Sequence, residues 1–225
     1  KRFADAGYVF PKPLIEIDNK PMIQWVIESL NFNANYIFII QKEHQEKYNI
    51  KSVLKILQPN CKIIELDHVT EGAACTTLLA KEFINNSDPL IIANSDQYIN
   101  WNSSKALYDF NSKNLDGAIL TFEAIHPKWS YAKCNDDGFV TEVAEKKVIS
   151  KNATVGVYYW KHGSDYVQSA ENMIKKNIRV NKEFYVCPVY NEFLLKNKKV
   201  KIHNVEKMWG LGTPEDLNNF LRTIK

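Results

Sequence analysis

FPKPLIEIDNKPMI, the stretch from residue 10 to residue 23, indicates the architecture of this chain more strongly than any other. Pro11 and Pro13 each restrict the residue before them to extended conformations, so the pattern predicts that Lys12 lies on a stiff, extended loop. Pro21 then suits the first turn of a helix. The residues that follow have the three-and-four apolar spacing of a helix with one buried face: Ile23, Val26, Ile27 and Leu30. The stretch therefore predicts a rigid basic loop anchored to a core helix.

Short apolar runs alternate with helix-like segments in the first half of the chain. Strands are predicted at residues 36–41, 62–66, 89–94 and 118–122, and helices at residues 21–31, 50–57, 71–84 and 103–111. Strands that are apolar throughout are covered on both faces, and their alternation with helices is typical of a doubly wound α/β fold with a mostly parallel, mixed sheet. Ligands bind such sheets at the carboxyl ends of the strands.

The second half of the chain predicts a hairpin and further mixed structure. Asn135-Asp136-Asp137-Gly138 is a turn signal between two strand-like pieces within residues 133–143. Strands are predicted at 153–160 and 199–204, and helices at 164–176, at 183–196 and after the capping residue Thr213. A chain of 225 residues with 45% apolar content is expected to form a single α/β domain, residues 1–225, with a small hairpin region.

Charge and cysteine content exclude several classes of protein. The net charge is +3 and the lysines are spread along the chain, so small polyanions are expected as partners and nucleic acid is not. The four cysteines make no close pair, which argues against zinc and disulfides: Cys61, Cys75, Cys134 and Cys187. Because no apolar run reaches membrane-spanning length, no membrane partner is expected and a cytoplasmic location is predicted.

Residues 10–23, together with Arg2 and the motif MWGLGTPE at residues 208–215, resemble the signature of the nucleotidyltransferase family that includes the nucleotide-sugar pyrophosphorylases. In that family a glycine-rich loop ends in arginine and is followed by P-K-x-L and a K-P-M-I helix start. The resemblance implies a Rossmann-like, GT-A-like nucleotidyltransferase fold whose hairpin region lies on the acceptor side. It also implies that the family's first strand and glycine-rich loop would precede residue 1.

The resemblance implies a triphosphate and metal site. Arg2 and Lys12 match the family's catalytic cations, and Asp96 matches its metal-binding aspartate. Asp96 also follows the apolar run 89–94, where a carboxylate at the end of a strand can hold Mg²⁺ against phosphates; the alternative is a turn or capping aspartate. The family commonly has a second metal-binding aspartate two residues before the Gly-Thr pair, and this chain has Gly210 there. Coordination by two carboxylates is therefore in question, unless another acid substitutes.

The resemblance also implies residues that bind the nucleotide and the acceptor. Gly72 and Ala73 match the stretch against the base and ribose, although small residues serve tight packing equally well. Glu145 and Lys146 match the acceptor-binding E-K pair, with a solvated strand edge as the alternative, and Gly156 is a further acceptor residue or a bulge. Aromatic and acidic candidates for the acceptor pocket fit core packing as readily: Trp129, Tyr131, Glu183, Tyr185 and Tyr190.

The expected reaction is transfer of a nucleoside monophosphate from a nucleoside triphosphate to a phosphorylated small-molecule acceptor, with release of pyrophosphate. CTP is favoured over UTP or dTTP, because the chain resembles the compact nucleotidyltransferases of capsule and surface-polysaccharide precursor synthesis, and Mg²⁺ is the expected cofactor. Two alternatives remain open. A glycosyltransferase usually shows an acid-x-acid motif, which Asp96-Gln97-Tyr98 lacks, whereas Gly210 would suit a non-catalytic nucleotide-binding protein.

Overall fold

A computed structural model describes residues 2–224, without the side chains of Arg2 and Ile224. The chain divides into two compact units that are each assembled from separated segments. The first unit comprises Lys1–Asp67, Asn94–Ser103 and Glu206–Lys225, and the second comprises His68–Ala93 and Ser104–Val205. The single-domain organisation expected from the length of the chain stays a prediction.

Helices and strands occur along the whole described chain. The helices are α1 (Arg2–Asp5), α2 (Met22–Leu30), α3 (Lys42–Tyr48), α4 (Ile50–Leu57), α5 (Ala73–Leu78), α6 (Lys81–Ile84), α7 (Ser103–Ser112), α8 (Gly163–Lys175), α9 (Val189–Leu194) and α10 (Pro214–Ile224), and a 3₁₀ turn spans Lys12–Leu14. The strands are β1 (Glu16–Ile17), β2 (Lys20–Pro21), β3 (Ile37–Gln41), β4 (Lys62–Leu66), β5 (Leu90–Ala93), β6 (Gln97–Asn100), β7 (Gly117–Glu123), β8 (Ser130–Cys134), β9 (Val140–Glu145), β10 (Asn152–Trp160), β11 (Val200–Asn204) and β12 (Lys207–Gly210). No helix between residues 2 and 224 has both the length and the apolar character needed to cross a bilayer.

The described residues of the first unit contain three separate strand pairs, and the short strands β1 and β2 form one of them. β3 and β4 are parallel, whereas β6 and β12 are antiparallel, with Gly210 opposite Gln97. Helix α2 buries the apolar face that its sequence predicts, and it also buries Met22, which the predicted face did not include. An aromatic cluster anchors β6, because the ring of Tyr98 lies 5.7 Å from that of Trp25 and 5.1 Å from that of Phe220. Strand β6 and the residues that precede it are therefore held firmly in this unit.

The second unit is built on a six-stranded mixed sheet. Its strand order is β11-β7-β10-β8-β9, and β5 also pairs with β10. The pairing of β11 with β7 is parallel and the other pairings are antiparallel. The hairpin predicted around Asn135–Gly138 is formed by β8 and β9. The mixed α/β class expected from the sequence is confirmed.

Two predicted helices are shorter than the sequence pattern indicates. Residues 183–188 are not helical, because Glu183 bridges to Val180 and Pro188 caps the start of α9. The helix predicted over 71–84 divides into α5 and α6. Its break coincides with threonine side chains that return to the backbone, as when the hydroxyl of Thr77 donates to the carbonyl of Ala73, an interaction that competes with regular helix geometry.

Candidate active site

Lys12 lies in a tight turn and not on the extended loop that the two prolines predict. The amide of Leu14 donates to the carbonyl of Pro11 at 2.8 Å, which closes a 3₁₀ turn over Lys12–Leu14. Pro13 is compatible with this turn because the early positions of a helical turn need no backbone donor. The turn is followed directly by the buried Ile15. The expected rigidity is therefore supplied by turn geometry and by burial of the next residue.

Asp96 follows β5 and immediately precedes β6, as the apolar run before it predicts. Its carbonyl accepts a hydrogen bond from the amide of Leu211 at 2.8 Å, which fastens it to the segment after β12. The ammonium nitrogen Nζ of Lys12 donates to the Oδ2 of Asp96 at 2.9 Å, and the two side chains are 37% and 28% exposed. The first unit thus brings together a predicted cation and the predicted metal ligand, and solvent reaches both.

Gly210, the last residue of β12, and Gly212, two residues later, leave the neighbouring carboxylates uncovered. A Cβ atom at Gly212 would lie 3.0 Å from the Oδ2 of Asp96, and one at Gly210 would lie 3.5 Å from the Oδ2 of Asp216. Asp216 therefore has its carboxylate on the side of Gly210 where a side chain would begin. That carboxylate accepts a hydrogen bond from the hydroxyl of Thr213 at 2.7 Å, and the same hydroxyl accepts from the amide of Asp216 at 3.1 Å. The bond from the amide of Asp216 to the hydroxyl of Thr213 caps α10 as the sequence predicts.

The donor set around Asp96 fits Mg²⁺ only when other ligands complete the shell. Within residues 2–224 no group of three histidine, cysteine, aspartate or glutamate side chains could hold a metal ion. Mg²⁺ keeps several waters and needs only one or two carboxylates beside the phosphates of a nucleotide. The carboxylate of Asp96, left open at Gly212, meets that requirement. In the free protein the ammonium of Lys12 donates a hydrogen bond to one of the two carboxylate oxygens of Asp96.

Close packing against Phe184 explains why residue 72 is a glycine. Its backbone has a φ of 133°, and a Cβ atom there would lie 2.5 Å from both the amide nitrogen and the carbonyl oxygen of Phe184. The amide of Phe184 donates to Glu71, and the amide of Ala74 donates to Phe184. The tight-packing alternative therefore accounts for Gly72, whereas Ala73 is exposed at the start of α5. The role of both residues in binding a nucleotide stays a prediction.

Glu145 ends β9 inside a polar part of the second unit. The hydroxyl of Ser130, its partner in the β8–β9 register, donates to the Oε2 of Glu145. Burial raises the pKa of the Glu145 carboxyl, and the hydrogen bond from Ser130 and the charge of Lys146 oppose that rise. Because one carboxylate oxygen of Glu145 is held by this hydrogen bond, the orientation of the carboxylate is defined, and its other oxygen can accept a hydrogen bond from a polar ligand.

Lys146 directly follows β9 and has an unusual backbone. Its φ is 54°, in the left-handed region that non-glycine residues seldom adopt, and its amide donates to the carbonyl of Trp129 at 3.0 Å. Its Nζ donates to the hydroxyl oxygen of Tyr185 at 2.5 Å and lies 4.5 Å from the centre of that ring. This hydrogen bond is the main reason that the pKa of Lys146 is raised. The second unit therefore brings Glu145 and Lys146 together with one of the predicted pocket aromatics.

Three of the other acceptor candidates, Gly156, Tyr131 and Tyr190, lie at a bulge or in the core. Gly156 has a φ of 74° and lies where the register of β10 against β7 shifts, so the predicted bulge is present. Tyr131 and Tyr190 are fully buried. The hydroxyl of Tyr131 donates to His126, and that of Tyr190 reaches the carbonyls of Ala118 and Tyr159. These two tyrosines have the packing role that the sequence left open.

The described contacts do not test the predicted role of Arg2, and they include two features that were not predicted. The side chain of Arg2 lies outside the described residues, so its role as a cation stays a prediction. Two features of the candidate site were not predicted from the sequence: the contact between Ser130 and Glu145, and the lack of a side chain at Gly212, which leaves the carboxylate of Asp96 uncovered. The first could have been found from the hairpin register, because Ser130 and Glu145 are equidistant from the turn that joins β8 to β9, apart from one irregular position. No sequence pattern indicates the second.

Several known proteins resemble the chain over most of its length. A family model described as nucleotidyl transferase matches residues 1–222. The bifunctional protein GlmU of Thermosipho melanesiensis is 27% identical to this chain, and the match covers 96% of this chain and 47% of GlmU. A mannose-1-phosphate guanyltransferase of Aspergillus oryzae is 25% identical, and the match covers 66% of this chain and 43% of that protein. The chain thus spans about half the length of these curated relatives.

One solved structure shares the fold across both chains. The crystal structure of the nucleoside-diphosphate-sugar pyrophosphorylase from Vibrio cholerae superposes with a TM-score of 0.84 at 23% identity, covering 98% of this chain and 95% of that one. This likeness confirms the Rossmann-like nucleotidyltransferase fold. Because the family model spans the chain from its first residue to residue 222, the chain belongs to the nucleotidyl transferase family.

Proposed function

We propose that this protein transfers a nucleoside monophosphate from a nucleoside triphosphate to a phosphorylated small molecule and releases pyrophosphate. The observation that carries the proposal is the contact between Lys12 and Asp96, 84 residues apart in the chain and 2.9 Å apart in the fold. Both residues match positions of the family motifs, one for a cation and one for a metal ligand. Their contact supports a shared site for phosphates and metal.

The proposed chemistry is an in-line attack by a phosphate oxygen of the acceptor on the α-phosphorus of the triphosphate. Because this nucleophile is already an anion, the protein needs no general base, and catalysis depends on alignment and on neutralising charge. Lys12, together with Arg2, would bind the triphosphate, and Lys146 would bind the acceptor phosphate. When bound at Asp96, Mg²⁺ supplies positive charge that offsets the charge of the phosphate oxygens.

The acceptor that we propose is a sugar phosphate. Support comes from the relatives, since one is named a mannose-1-phosphate guanyltransferase and one structural neighbour a nucleoside-diphosphate-sugar pyrophosphorylase. Glu145 would accept hydrogen bonds from the hydroxyl groups of the sugar. CTP as the nucleotide and a place in capsule or surface-polysaccharide precursor synthesis rest on the sequence resemblance and stay predictions. The cytoplasmic location expected from the sequence also stays a prediction.

Pyrophosphate release tests the proposal. The protein is incubated with Mg²⁺, each nucleoside triphosphate in turn and a set of sugar 1-phosphates, and pyrophosphate is measured with a coupled assay. Asp96→Asn and Lys12→Ala should each lose about 10²- to 10³-fold in turnover, by analogy with the loss of one oxyanion donor. Lys20→Ala is the matched control, because Lys20 is similarly exposed and pairs with Glu28 in the same unit.

Circular dichroism establishes that each variant is folded. Turnover near the wild-type rate in Asp96→Asn or Lys12→Ala would remove that residue from the mechanism. If the wild-type protein binds a triphosphate but releases no pyrophosphate with any acceptor, the non-catalytic alternative replaces the proposed reaction.

A further inference from the structure

The ammonium of Lys146 is restrained from two sides in the second unit. The amide of this residue is bonded to Trp129, which fixes the start of the side chain in a backbone conformation that is costly for lysine. The far end donates to the hydroxyl of Tyr185. An exposed lysine side chain otherwise samples many rotamers, so a lysine tied at both ends is unusual on a surface and indicates a task that depends on its position.

The backbone that carries Tyr185 is itself fastened. Its neighbour Phe184 is 1% exposed, exchanges backbone hydrogen bonds with Glu71 and Ala74, and lies under the guanidinium of Arg179 at 3.9 Å. Gly72 allows this close approach because it has no Cβ atom. The hydroxyl of Tyr185 is therefore presented from a rigid segment, and the same segment braces the loop that contains the predicted nucleotide residues.

The chemical character of Tyr185, the hydrogen-bond partner of Lys146, matters as much as its position. A phenol accepts one hydrogen bond from an ammonium group without neutralising it, whereas a carboxylate partner would cancel the charge. Lys146 keeps its charge and two further N–H donors. Other groups that act on it are Glu145 and Glu183, whose negative charges are both felt at the ammonium. A positive group with two aimed donors suits a phosphate, which offers several oxygens at one place.

We propose that Tyr185 is a positioning residue that aims the ammonium of Lys146 at the phosphate of the acceptor. This inference rests on the proposed function for the identity of the ligand, but the contact itself can be tested without any substrate. Tyr185 does not touch the reacting atoms. It acts through Lys146, so its effect should be confined to the acceptor.

The first measurement is the reactivity of Lys146 towards an acetylating reagent, followed by mass spectrometry on chymotryptic peptides. Tyr185→Phe keeps the ring and removes the hydroxyl. Because the hydrogen bond favours the protonated amine, acetylation of Lys146 should become about two- to fivefold faster in the variant. The exposed Lys147 is the internal reference in the same peptide, and Tyr108→Phe, at a tyrosine that is 72% exposed, is the matched control. An unchanged ratio of Lys146 to Lys147 labelling would overturn the proposal.

The second measurement distinguishes a positioning role of Tyr185 from a purely structural role. With an acceptor that the wild-type protein uses, Tyr185→Phe should raise the KM for that acceptor about two- to tenfold and leave the KM for the triphosphate unchanged. In Lys146→Met the same tyrosine substitution should have no further effect, because its target is gone. Equal changes in both KM values, or an additive double variant, would contradict the positioning role. If no acceptor releases pyrophosphate, the proposed reaction fails, while the labelling ratio still decides whether Tyr185 controls Lys146.

Discussion

At the scale of single residues, Lys12 and Asp96 hold each other in the free protein although each has another partner in the proposed reaction. Lys12 would contact phosphate oxygens and Asp96 would contact Mg²⁺. The pair is accessible to solvent on both sides, and ion pairs of that kind contribute only about 0.2–1 kcal/mol. Such a contact is easily exchanged when a metal–nucleotide complex arrives. It also means that a metal ion alone must compete with Lys12 for Asp96.

We therefore expect Lys12→Met to bind a metal ion more tightly than the wild-type protein in the absence of nucleotide. The gain should be about two- to fivefold, which corresponds to the free energy of an exposed ion pair. Titration with Mn²⁺, followed by electron paramagnetic resonance of the free ion, measures this affinity directly. Lys20→Met is the control and should leave the affinity unchanged. Equal Mn²⁺ affinity in wild type and Lys12→Met would show that Lys12 does not compete for the metal ligand.

Glu145→Gln is expected to change how the free energy of unfolding depends on pH. Burial raises the pKa of Glu145 in the folded protein, so the folded state retains this proton to a higher pH than the unfolded chain does. As pH rises above the unfolded value, near 4.5, the wild-type protein binds more protons folded than unfolded and loses stability. The glutamine variant lacks this loss and keeps an oxygen for Ser130.

Urea unfolding from about pH 4 to about pH 7 tests this expectation. The stability of Glu145→Gln relative to wild type should increase across that range, and the increase should be absent in Glu142→Gln, an exposed glutamate on the same strand. A relative stability that stays constant or falls with pH would mean that the pKa of Glu145 is not raised in the folded protein.

At the scale of elements, the link between residues 71–74 and Phe184 determines where α5 begins and why residues 183–188 are not helical. Backbone groups of Phe184 that a longer helix would use internally bond to Glu71 and Ala74 instead. Asn181 and Lys182, both with positive φ, turn the chain just before this link. Helix propensity is a weak preference that such tertiary contacts override.

Gly72→Ala should break this link. A methyl group at residue 72 would lie 2.5 Å from backbone atoms of Phe184, and backbone cannot move aside as a flexible side chain can. Gly138→Ala is the matched control, because Gly138 also has a positive φ, of 76°, but its nearest neighbour is the side-chain amine of Lys201 at 3.8 Å. Both variants carry the cost of an alanine at positive φ, about 1–3 kcal/mol, and this cost is greater at Gly72 because its φ of 133° and ψ of 173° lie outside the left-handed helical region.

The loss of unfolding free energy in Gly72→Ala should exceed that in Gly138→Ala by about 1–3 kcal/mol, the usual cost of overpacking. Urea denaturation of both variants gives the difference. Equal losses would mean that the segment around Phe184 adjusts freely, and the rigid presentation of Tyr185 would lose its support.

At the scale of the whole molecule, the two compact units are each made of more than one segment of the chain, and those of the first unit are far apart in sequence. The first unit collects Asn94–Ser103 and Glu206–Lys225 onto the N-terminal residues, and this assembly delivers Asp96 to Lys12. Binding of a ligand to the native state alone raises the apparent stability of the protein. Nucleotide binding should therefore be visible in the unfolding of the chain even before an acceptor is known.

Thermal unfolding with Mg²⁺ and each nucleoside triphosphate should rank the nucleotides, with CTP giving the largest rise in Tm. At a concentration of about 100 times Kd the stabilisation is about 2.7 kcal/mol. Asp96→Asn should lose most of this rise and keep the Tm of the unliganded protein. A larger rise with another triphosphate would replace CTP as the preferred nucleotide, and equal rises in wild type and Asp96→Asn would separate Asp96 from nucleotide binding.

The sequence by itself determined those structural features that depend only on residues close together in the chain. The apolar spacing after Pro21 predicted α2, the Asn135–Gly138 turn predicted the β8–β9 hairpin, and Thr213 with its following residues predicted the capped start of α10. Each of these features follows from local periodicity, turn chemistry or capping, which a short stretch of chain contains in full. The family motifs were recognisable for the same reason.

Only the tertiary structure decided the contacts that join distant segments. Lys12 meets Asp96 across 84 residues, and Lys146 meets Tyr185 across 39. A residue pattern records which side chains face a core, but it does not record which of many apolar faces will pack together. That choice is made by the packing of the folded chain as a whole, and it turned residues 183–188, the first part of the helix predicted over 183–196, into the rigid segment that carries Tyr185.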